Sequence, residues 1–333
     1  MPSIPEIAAP APGAPHQAFH RGELHAQQRA GMLEKMAAVG PRVIRDFMPD
    51  QHRQFFEQLP FLVIGSTDAD GRPWASIATG APGFVRSPDE RTLRLTGMHI
   101  AQQDPLRANL REGAKLGLLG LEPHTRRRNR ANGVAHALTP GGIEIAIEQS
   151  FGNCPKYIQT RKPELLDAAA LPAAVVTDAP ALTPRMAQMV RAADTFFIAT
   201  ALAGDDAEAQ GHAHRHGTDV SHRGGKPGFV RVDGGATLTV PDFIGNSFFN
   251  TIGNLLVQPR AGLLFADFEA GALLYLGVTA EVVWEGPEVE SFAGAQRLLR
   301  FTVESARLLE NALPLRWGEA GLSPFLETTG AWN

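Results

Sequence analysis

The sequence predicts a mainly β protein with helices, of the α+β class, in which two copies of one antiparallel barrel follow each other along the chain. Three observations support this prediction: a repeat within the chain, short apolar runs with the period of strands, and many turn residues. The 333 residues include 34 Gly and 25 Pro, which suits two domains rich in turns. With 44% hydrophobic and 20% charged residues, the composition is globular rather than disordered or fibrous.

The repeat is the strongest of these observations. Residues 75–86 align without a gap with residues 220–231, an offset of 145 residues (from 75 to 220), and both segments contain Pro-Gly-Phe-Val-Arg. The same register continues to residues 117–119 and 262–264, which both read Gly-Leu-Leu. Two copies are too few for a solenoid, so we expect two domains of one kind packed against each other as an intrachain pseudo-dimer. The alternative is two unrelated β segments that share one turn.

Each copy shows the two-residue period of strands rather than the period of helices. Four strands and one short helix are predicted in the first copy, with strands at 61–66, 74–79, 92–95 and 115–120 and a helix at 104–110. Asp104 is placed to cap that helix and Pro105 to begin it. The second copy repeats the pattern, with strands at 194–200, 218–232, 237–240 and 262–267 and a helix at 247–257. Because strands and helices do not alternate one for one, an antiparallel barrel is favoured over a Rossmann sheet.

Accessory segments flank the two copies. We predict a helix from Arg21 to Val39 that Gly40-Pro41 closes, a second helix from Asp50, and a strand rather than a helix around residues 299–303. The predicted domain division is 1–55 for an N-terminal tail and helices, 56–162 for barrel 1, 163–187 for a linker, 188–317 for barrel 2 with a C-terminal extension, and 318–333 for a tail.

Charge and cysteine content exclude several classes of protein. The net charge of −4 argues against a nucleic-acid binder, which carries a basic surplus. The single cysteine, Cys154, excludes an intrachain disulfide framework and a cysteine-rich metal site. No metal ligand is among the residues assigned to the predicted site. No apolar run approaches the length of a membrane span. We therefore expect a cytoplasmic protein without a nucleic-acid or membrane partner.

The segment Ser221-His222-Arg223 is the first candidate site. A guanidinium can bind a phosphate bidentately, a hydroxyl adds a neutral donor, and a helix start at residues 246–251 adds backbone N–H groups. The first copy has Ile77 and Ala78 where the second has His222 and Arg223, so we expect one complete site per chain. The alternative is that Arg223 faces solvent.

Four other features leave their role open. Strand alternation sends Arg126, Arg128 and Arg130 to one face and Arg127 and Asn129 to the other; the run either reaches an anionic ligand, forms a solvated strand end, or binds RNA. The histidines at 212, 214 and 216 suit a polar loop or a metal or haem ligand set. Cys154 is either a packing residue or a redox-active thiol. His20 and Glu23 either cap the first helix or line the mouth of a site.

The chain resembles the pyridoxamine 5'-phosphate oxidase-like family of FMN-binding split-barrel proteins, and more narrowly its branch with two barrels in tandem. The resemblance covers about residues 19–317 and rests on segments 19–27, 125–133, 150–159, 219–225 and 241–255. It implies a six-stranded split barrel in each copy and one FMN between the barrels. The residues that we take as binding the FMN are Ser221, Arg223, Lys226, Asn246, Ser247, Asn250, Thr251, Arg128, Asn129, Lys156 and Tyr157. His222 is the candidate catalytic residue, as a proton donor.

The chain departs from the oxidase pattern in two ways. Its phosphate turn, residues 246–251, carries amide and hydroxyl side chains instead of an Arg-Lys pair, and the basic C-terminal substrate residues of the oxidase have no clean equivalent. Pyridoxamine phosphate is therefore not the expected substrate. The resemblance implies an FMN-dependent oxidoreductase that takes electrons from NADH, NADPH or a partner reductase and passes them to a small molecule or oxygen. The alternatives are a non-catalytic flavin-binding or electron-carrying module and a haem-binding or haem-degrading protein; a homodimer is one assembly open to the chain.

Overall fold

The first copy forms one antiparallel sheet of seven strands. The computed structural model describes residues 18–202 and 216–332. The strands of the first sheet are β1 (Phe61–Thr67), β2 (Pro73–Thr79), β3 (Val85–Asp89), β4 (Thr92–Thr96), β5 (Lys115–Glu122), β6 (Arg127–Thr139) and β7 (Gly142–Gly152). They pair in the order β2-β1-β5-β6-β7-β4-β3, so the described sheet is open, with β2 and β3 at its ends. The barrel is split, and it has one strand more than the resemblance implies.

The second copy has the same topology. Its strands are β8 (Pro163–Leu165), β9 (Val175–Ala179), β10 (Thr195–Leu202), β11 (Gly217–Gly224), β12 (Arg231–Asp233), β13 (Thr237–Phe243), β14 (Arg260–Asp267), β15 (Ala272–Val283), β16 (Ala295–Glu310) and β17 (Leu315–Trp317). The second sheet runs β11-β10-β14-β15-β16-β13-β12, which repeats the first order strand for strand. The predicted tandem repeat of one split barrel is therefore confirmed, as is the strand predicted around residues 299–303.

The segment predicted as a linker, residues 163–187, carries regular structure. Within it, β9 pairs with β16 as an extra strand of the second sheet, and β8 pairs with β17 from the end of the chain. The connection between the barrels is thus tied to the second barrel by backbone hydrogen bonds.

Seven helices complete the described chain: α1 (Arg21–Arg29), α2 (Leu33–Val43), α3 (Asp50–Glu57), α4 (Leu106–Asn109), α5 (Pro184–Ala192), α6 (Asn250–Val257) and α7 (Pro287–Ser291). The single helix predicted from Arg21 to Val39 is wrong: two helices meet at Gly31, whose left-handed backbone (φ 67°) ends the first. Pro41 does not stop α2, which continues to Val43. Among the described residues, no helix is long and apolar enough to cross a membrane.

Alternation along the central strands divides their side chains between two cores. In β5, Leu116 and Leu118 point into the first barrel, where they join apolar residues from every strand of that sheet. Leu119 points the other way, into a separate cluster between the barrels that also contains Phe197 and Leu264 of the second copy. Because both faces of these strands are buried, they appear in the sequence as continuous apolar runs.

Glycines let the two barrels approach each other closely. A Cβ atom at Gly117 would lie 2.4 Å from the carbonyl oxygen of Thr218, and one at Gly262 would lie 2.3 Å from that of Pro73. The two contacts are equivalent under the 145-residue offset, since Gly117 corresponds to Gly262 and Pro73 to Thr218. The interface is therefore isologous, like that of a symmetric dimer, although one chain makes both halves.

We expect Gly117→Ala to destabilise the protein by about 2–3 kcal/mol, because its methyl group meets fixed backbone of the opposite barrel. Gly141→Ala is the matched control: this exposed glycine lies in the same barrel, and an added Cβ would have no neighbour within 4 Å. Its effect should stay within about 0.5 kcal/mol. Urea unfolding of both variants measures the difference; equal midpoints would show that the barrels tolerate separation at this point.

Candidate functional site

A cavity of about 330 Å³ lies where the two barrels and the N-terminal helices meet. Its volume is in the range of small-molecule sites. The first copy contributes Leu119, Arg128, Arg130, Asn153 and Cys154, the N-terminal helices contribute Ala30, Met32 and Lys35, and the second copy contributes Ser221, His222, Arg223, Asp242, Phe243, Ile244, Gly245, Asn246, Ser247, Phe249, Asn250, Thr251, Ile252, Gln296 and Arg297. Eight of the twelve residues predicted for the site, His222 included, are in this lining.

Strand β6 carries two arginines across the interface. The Arg128 guanidinium donates to the carbonyl of Cys154 (Nε to O, 2.7 Å) and to that of His222 (Nη1 to O, 3.3 Å). Arg130 binds the second copy more extensively: it donates to Asp219 Oδ1 at 2.8 Å and to the Val220 carbonyl at 2.9 Å. Arg128 and Arg130 are thus not part of a solvated strand end, although Arg127, the first residue of β6, is exposed.

Alternation along β6 separates these arginines from Arg127 and Asn129, as predicted. Arg126, predicted on the same face as Arg128, instead precedes the strand in a left-handed conformation and donates to the Ile158 carbonyl at 3.0 Å. Arg127 lies over the ring of Phe55, 5.1 Å from its centroid, on the side away from the cavity. Asn129 is buried and does not line the cavity. Because adjacent strand residues face opposite ways, its side chain lies on the other face of β6 from Arg128. Its predicted contact with the cofactor stays a prediction.

A carboxylate that sequence analysis missed holds Arg223. Asp242 accepts a hydrogen bond from Arg223 Nη1 through one oxygen and from Arg297 Nη1 through the other, the latter at 2.9 Å. The Nε atoms of both arginines are buried without a hydrogen-bond partner. Asp242 and Arg297 are directly opposite each other on β13 and β16, a relation between distant segments that only the strand register reveals.

The cavity has a strong surplus of positive charge. Within the described chain its lining holds five cationic side chains, those of Lys35, Arg128, Arg130, Arg223 and Arg297, and one carboxylate, that of Asp242. Cations gathered in a partly buried cavity favour a ligand with negative charge. Burial lowers the pKa of Arg128 to about 10, which leaves the guanidinium charged at neutral pH.

His222 is neutral in this surrounding. Burial, reinforced by Arg128 and Arg223, holds its pKa well below the usual range. Its Nδ1 atom lies 3.3 Å from Nη1 of Arg128. Since arginine only donates, Nδ1 accepts and the ring proton is on Nε2. Any proton that His222 gives at neutral pH therefore comes from the neutral ring.

The turn before α6 forms the wall opposite β6. Ser247 and Phe249 both have left-handed backbones (φ 63°), and the Asn246 side chain accepts from the Phe248 N–H at 3.1 Å. Thr251 donates to Ser221 Oγ at 3.1 Å, which joins α6 to β11. The predicted phosphate turn and the predicted strand residues are thus brought together.

Helix α1 packs directly behind this turn. Gly22 and Gly253 cross so closely that a Cβ at Gly22 would lie 2.1 Å from the Gly253 carbonyl oxygen. His20 and Glu23 form a reciprocal capping box at the start of α1, with the His20 N–H donating to Glu23 Oε2 at 2.9 Å. Glu23 also accepts from Nδ2 of Asn250, a residue that lines the cavity. The capping alternative for His20 and Glu23 is therefore the one observed.

The remaining predicted residues lie at or beyond the edge of this site. Lys156 and Tyr157 line a smaller cavity of about 60 Å³ that shares Arg128, Cys154 and His222 with the first. Lys226 lines neither cavity and donates to the Thr329 carbonyl at 2.7 Å, so the structure does not bring it together with the other predicted residues.

Two of the three histidines of the candidate haem or metal loop, His212 and His214, lie outside the described residues. The third, His216, directly precedes β11 and lies beside a separate small pocket with Asp219.

The equivalent position in the other half of the pseudo-dimer is filled. Leu264 and its cross-strand partner Tyr275 correspond to Leu119 and its partner Arg130. Tyr275 donates to Asp104 at 2.7 Å and is fully buried within the apolar cluster between the barrels. One complete cationic site per chain is therefore the arrangement that the described residues form.

Arg130→Met should destabilise the protein by about 3 kcal/mol, because it removes one partner of a buried ion pair with Asp219. Arg94→Met tests the same change in the exposed Arg94–Glu144 pair of the same barrel and should cost less than about 1 kcal/mol. Urea unfolding at neutral pH compares them; similar costs for both would show that Arg130 does not hold the barrels together.

Comparisons with known proteins bear on the first barrel. Residues 48–175, which contain all of β1–β7, match the family model of pyridoxamine 5'-phosphate oxidase. No match is found among curated proteins.

Several solved structures show low similarity to the chain. HupZ of Group A Streptococcus is 17% identical, with 40% of this chain and 98% of that chain covered and a TM-score of 0.29. A candidate pyridoxamine 5'-phosphate oxidase from Lactobacillus delbrueckii is 15% identical, with coverage of 38% and 94% and a TM-score of 0.29. One from Listeria innocua is 14% identical, with coverage of 36% and 91% and a TM-score of 0.25.

Sequence identities and TM-scores at these levels support no statement about activity. The likeness of the first barrel to a known family therefore depends on the family model together with the motifs described above. Over residues 48–175, this chain is similar to the pyridoxamine 5'-phosphate oxidase family.

Proposed function

We propose that the chain is an FMN-dependent oxidoreductase and that FMN binds in the cavity between the two barrels. The observation that carries the proposal is the meeting of Arg128 from the first copy with His222 and Arg223 from the second in one cationic cavity. The similarity of the first barrel to this family supports it, because the resemblance implies a flavin site between two such barrels.

The residues present fit a phosphate-bearing ligand. The buried Nε atoms of Arg223 and Arg297 have no partner within the protein, and a buried donor of this kind is costly unless a ligand or water satisfies it. Arg223, Ser221 and the turn at residues 246–251 would hold the phosphate, and Arg128 would lie at the opposite barrel's side of the ligand. Of the five cationic charges, Asp242 balances one and Asp219, which pairs with Arg130 behind the lining, balances another.

Bound FMN would supply the redox chemistry, and the protein would bind and orient it. The chain's own contribution is a cationic surface that stabilises negative charge in the cavity, and a neutral imidazole whose Nε2–H can donate a hydrogen bond. Electrons would come from NADH, NADPH or a partner reductase and pass to a small molecule or oxygen.

Absorbance of the purified chain separates this proposal from its alternatives. A flavin spectrum supports an oxidoreductase or an electron-carrying module, and oxidation of NADH or NADPH with a small acceptor distinguishes the two. A Soret band would instead favour haem binding. We expect one FMN per chain, because the equivalent position in the other half is filled by Tyr275 and its apolar neighbours; two FMN per chain would contradict this arrangement.

Arg128→Ala should weaken FMN binding about tenfold to a hundredfold, because it removes one charge-assisted contact that contributes about 1.5–3 kcal/mol to the binding free energy. Asn129→Ala, its neighbour on the opposite face of β6, should leave the dissociation constant within about threefold. Flavin fluorescence titration measures both, and thermal melts show whether each variant remains folded. If the two substitutions weakened FMN equally, or neither did, the cavity between the barrels would not be the flavin site.

A further inference from the structure

Glu23 lies behind the site without belonging to either barrel. Its side chain, at the start of α1, is almost fully buried, and its Oε1 accepts from the amide of Asn250. Asn250 begins α6 and lines the cavity. A single side chain therefore connects the Glu23 carboxyl to the surface on which a ligand would lie.

The groups that face Glu23 leave it without a cationic partner. On its own helix, His20 is buried and neutral, with a pKa lowered to about 4, and Arg21 follows it. Asp219 of β11 and Arg130 of β6 also act on Glu23, and Arg130 donates through Nη1 to Asp219. From α6, the Asn250 amide donates to Glu23. His216, which precedes β11, and Asn254 of α6 act on His20 rather than on Glu23 itself. Among the described residues, the imidazole that lies nearest Glu23 is that of His20, with Nε2 3.5 Å from Oε2, and it carries no charge at neutral pH. No Lys or Arg side chain of the described chain lies within ion-pair distance of Glu23.

The Asn250 amide has a donor end and an acceptor end of nearly the same shape. An ionised Glu23 only accepts, so it takes an N–H from Asn250 and leaves the amide oxygen directed away from it. A protonated Glu23 can donate its O–H to that oxygen, and the NH₂ group is then free to turn toward the cavity. An anion is bound by N–H groups and repelled by a carbonyl oxygen.

We propose that Glu23 is a positioning residue whose proton sets which end of the Asn250 amide faces the cavity, so that binding of a phosphate-bearing anion there is coupled to uptake of a proton by Glu23. The inference rests on the proposed function in taking FMN as the anion. It adds that an N-terminal helix outside both barrels controls the affinity of the site.

The sign of the coupling follows from the burial of Glu23. Burial, reinforced by Asp219, raises its pKa to about 8. Below this pH the ligand-free protein already holds the proton, and Glu23 adds no pH dependence to binding. Above it the proton must be taken up when the anion binds, so affinity falls as pH rises, by at most tenfold per pH unit for one proton.

The test compares FMN binding by the wild-type residue and by Glu23→Gln between about pH 7 and pH 9, a range in which the FMN phosphate is already fully ionised. Both proteins carry Cys154→Ser, because a thiol in the cavity is another group able to ionise. With Glu23, the dissociation constant should rise about tenfold across this range. With Gln, which can always donate to Asn250, it should stay nearly constant. Parallel profiles would overturn the proposal.

A second measurement needs no flavin. In the ligand-free wild-type protein, the Glu23 carboxyl carbon and the Asn250 side-chain amide are each assigned by NMR through correlation with the backbone signals of their own residue, so the assignment needs no variant. Both signals should titrate with one midpoint near pH 8, and different midpoints would overturn the coupling even if Glu23→Gln failed to fold. If FMN did not bind at any pH but the two signals still shared one midpoint, the result would contradict FMN as the ligand. It would not contradict the coupling between Glu23 and Asn250.

Discussion

Backbone contact between the two barrels is the constraint on which the rest of the molecule depends. At Gly117 and Gly262 the strands of one copy lie against the chain of the other with no room for a side chain. This contact places β6 of the first copy beside β11 of the second, and Arg128 and Arg130 reach their partners only at that separation. A shift of the barrels by the size of one methyl group would disturb both the apolar cluster and the charged one.

The two halves of the interface share a geometry but not a chemistry. On one side of the interface, the strands carry Arg130 and His222. At the equivalent strand positions on the other side they carry Tyr275 and Ile77. One side became a cationic cavity, and the other became part of the hydrophobic core. One half of the pseudo-symmetric interface thus provides the cavity, and the other half adds apolar packing that stabilises the interface.

Much of this arrangement could be predicted from sequence, for physical reasons that also explain the failures. The repeat and the strand periodicity predict the fold because each copy encodes the same buried and exposed positions. The sequence also singles out three residues that line the cavity, Ser221, His222 and Arg223, because the first copy has apolar residues at two of the three equivalent positions.

At the site, the contacts that sequence analysis missed join distant segments of the chain. Asp242 faces Arg297 only through the register of β13 with β16. Asn250 reaches Glu23 across 227 residues of chain. Lys226 was placed by local motif similarity, which does not show that its amine binds the carbonyl of Thr329.

Joining both barrels in one chain has a consequence for assembly. In a dimer of separate subunits, a site built from both partners disappears on dilution, since each half then loses the other. Here Arg128 and Arg223 are joined by covalent peptide chain, so completion of the site is a unimolecular event. Its integrity does not depend on protein concentration, and the protein can operate at abundances far below those that a weakly associating dimer would require.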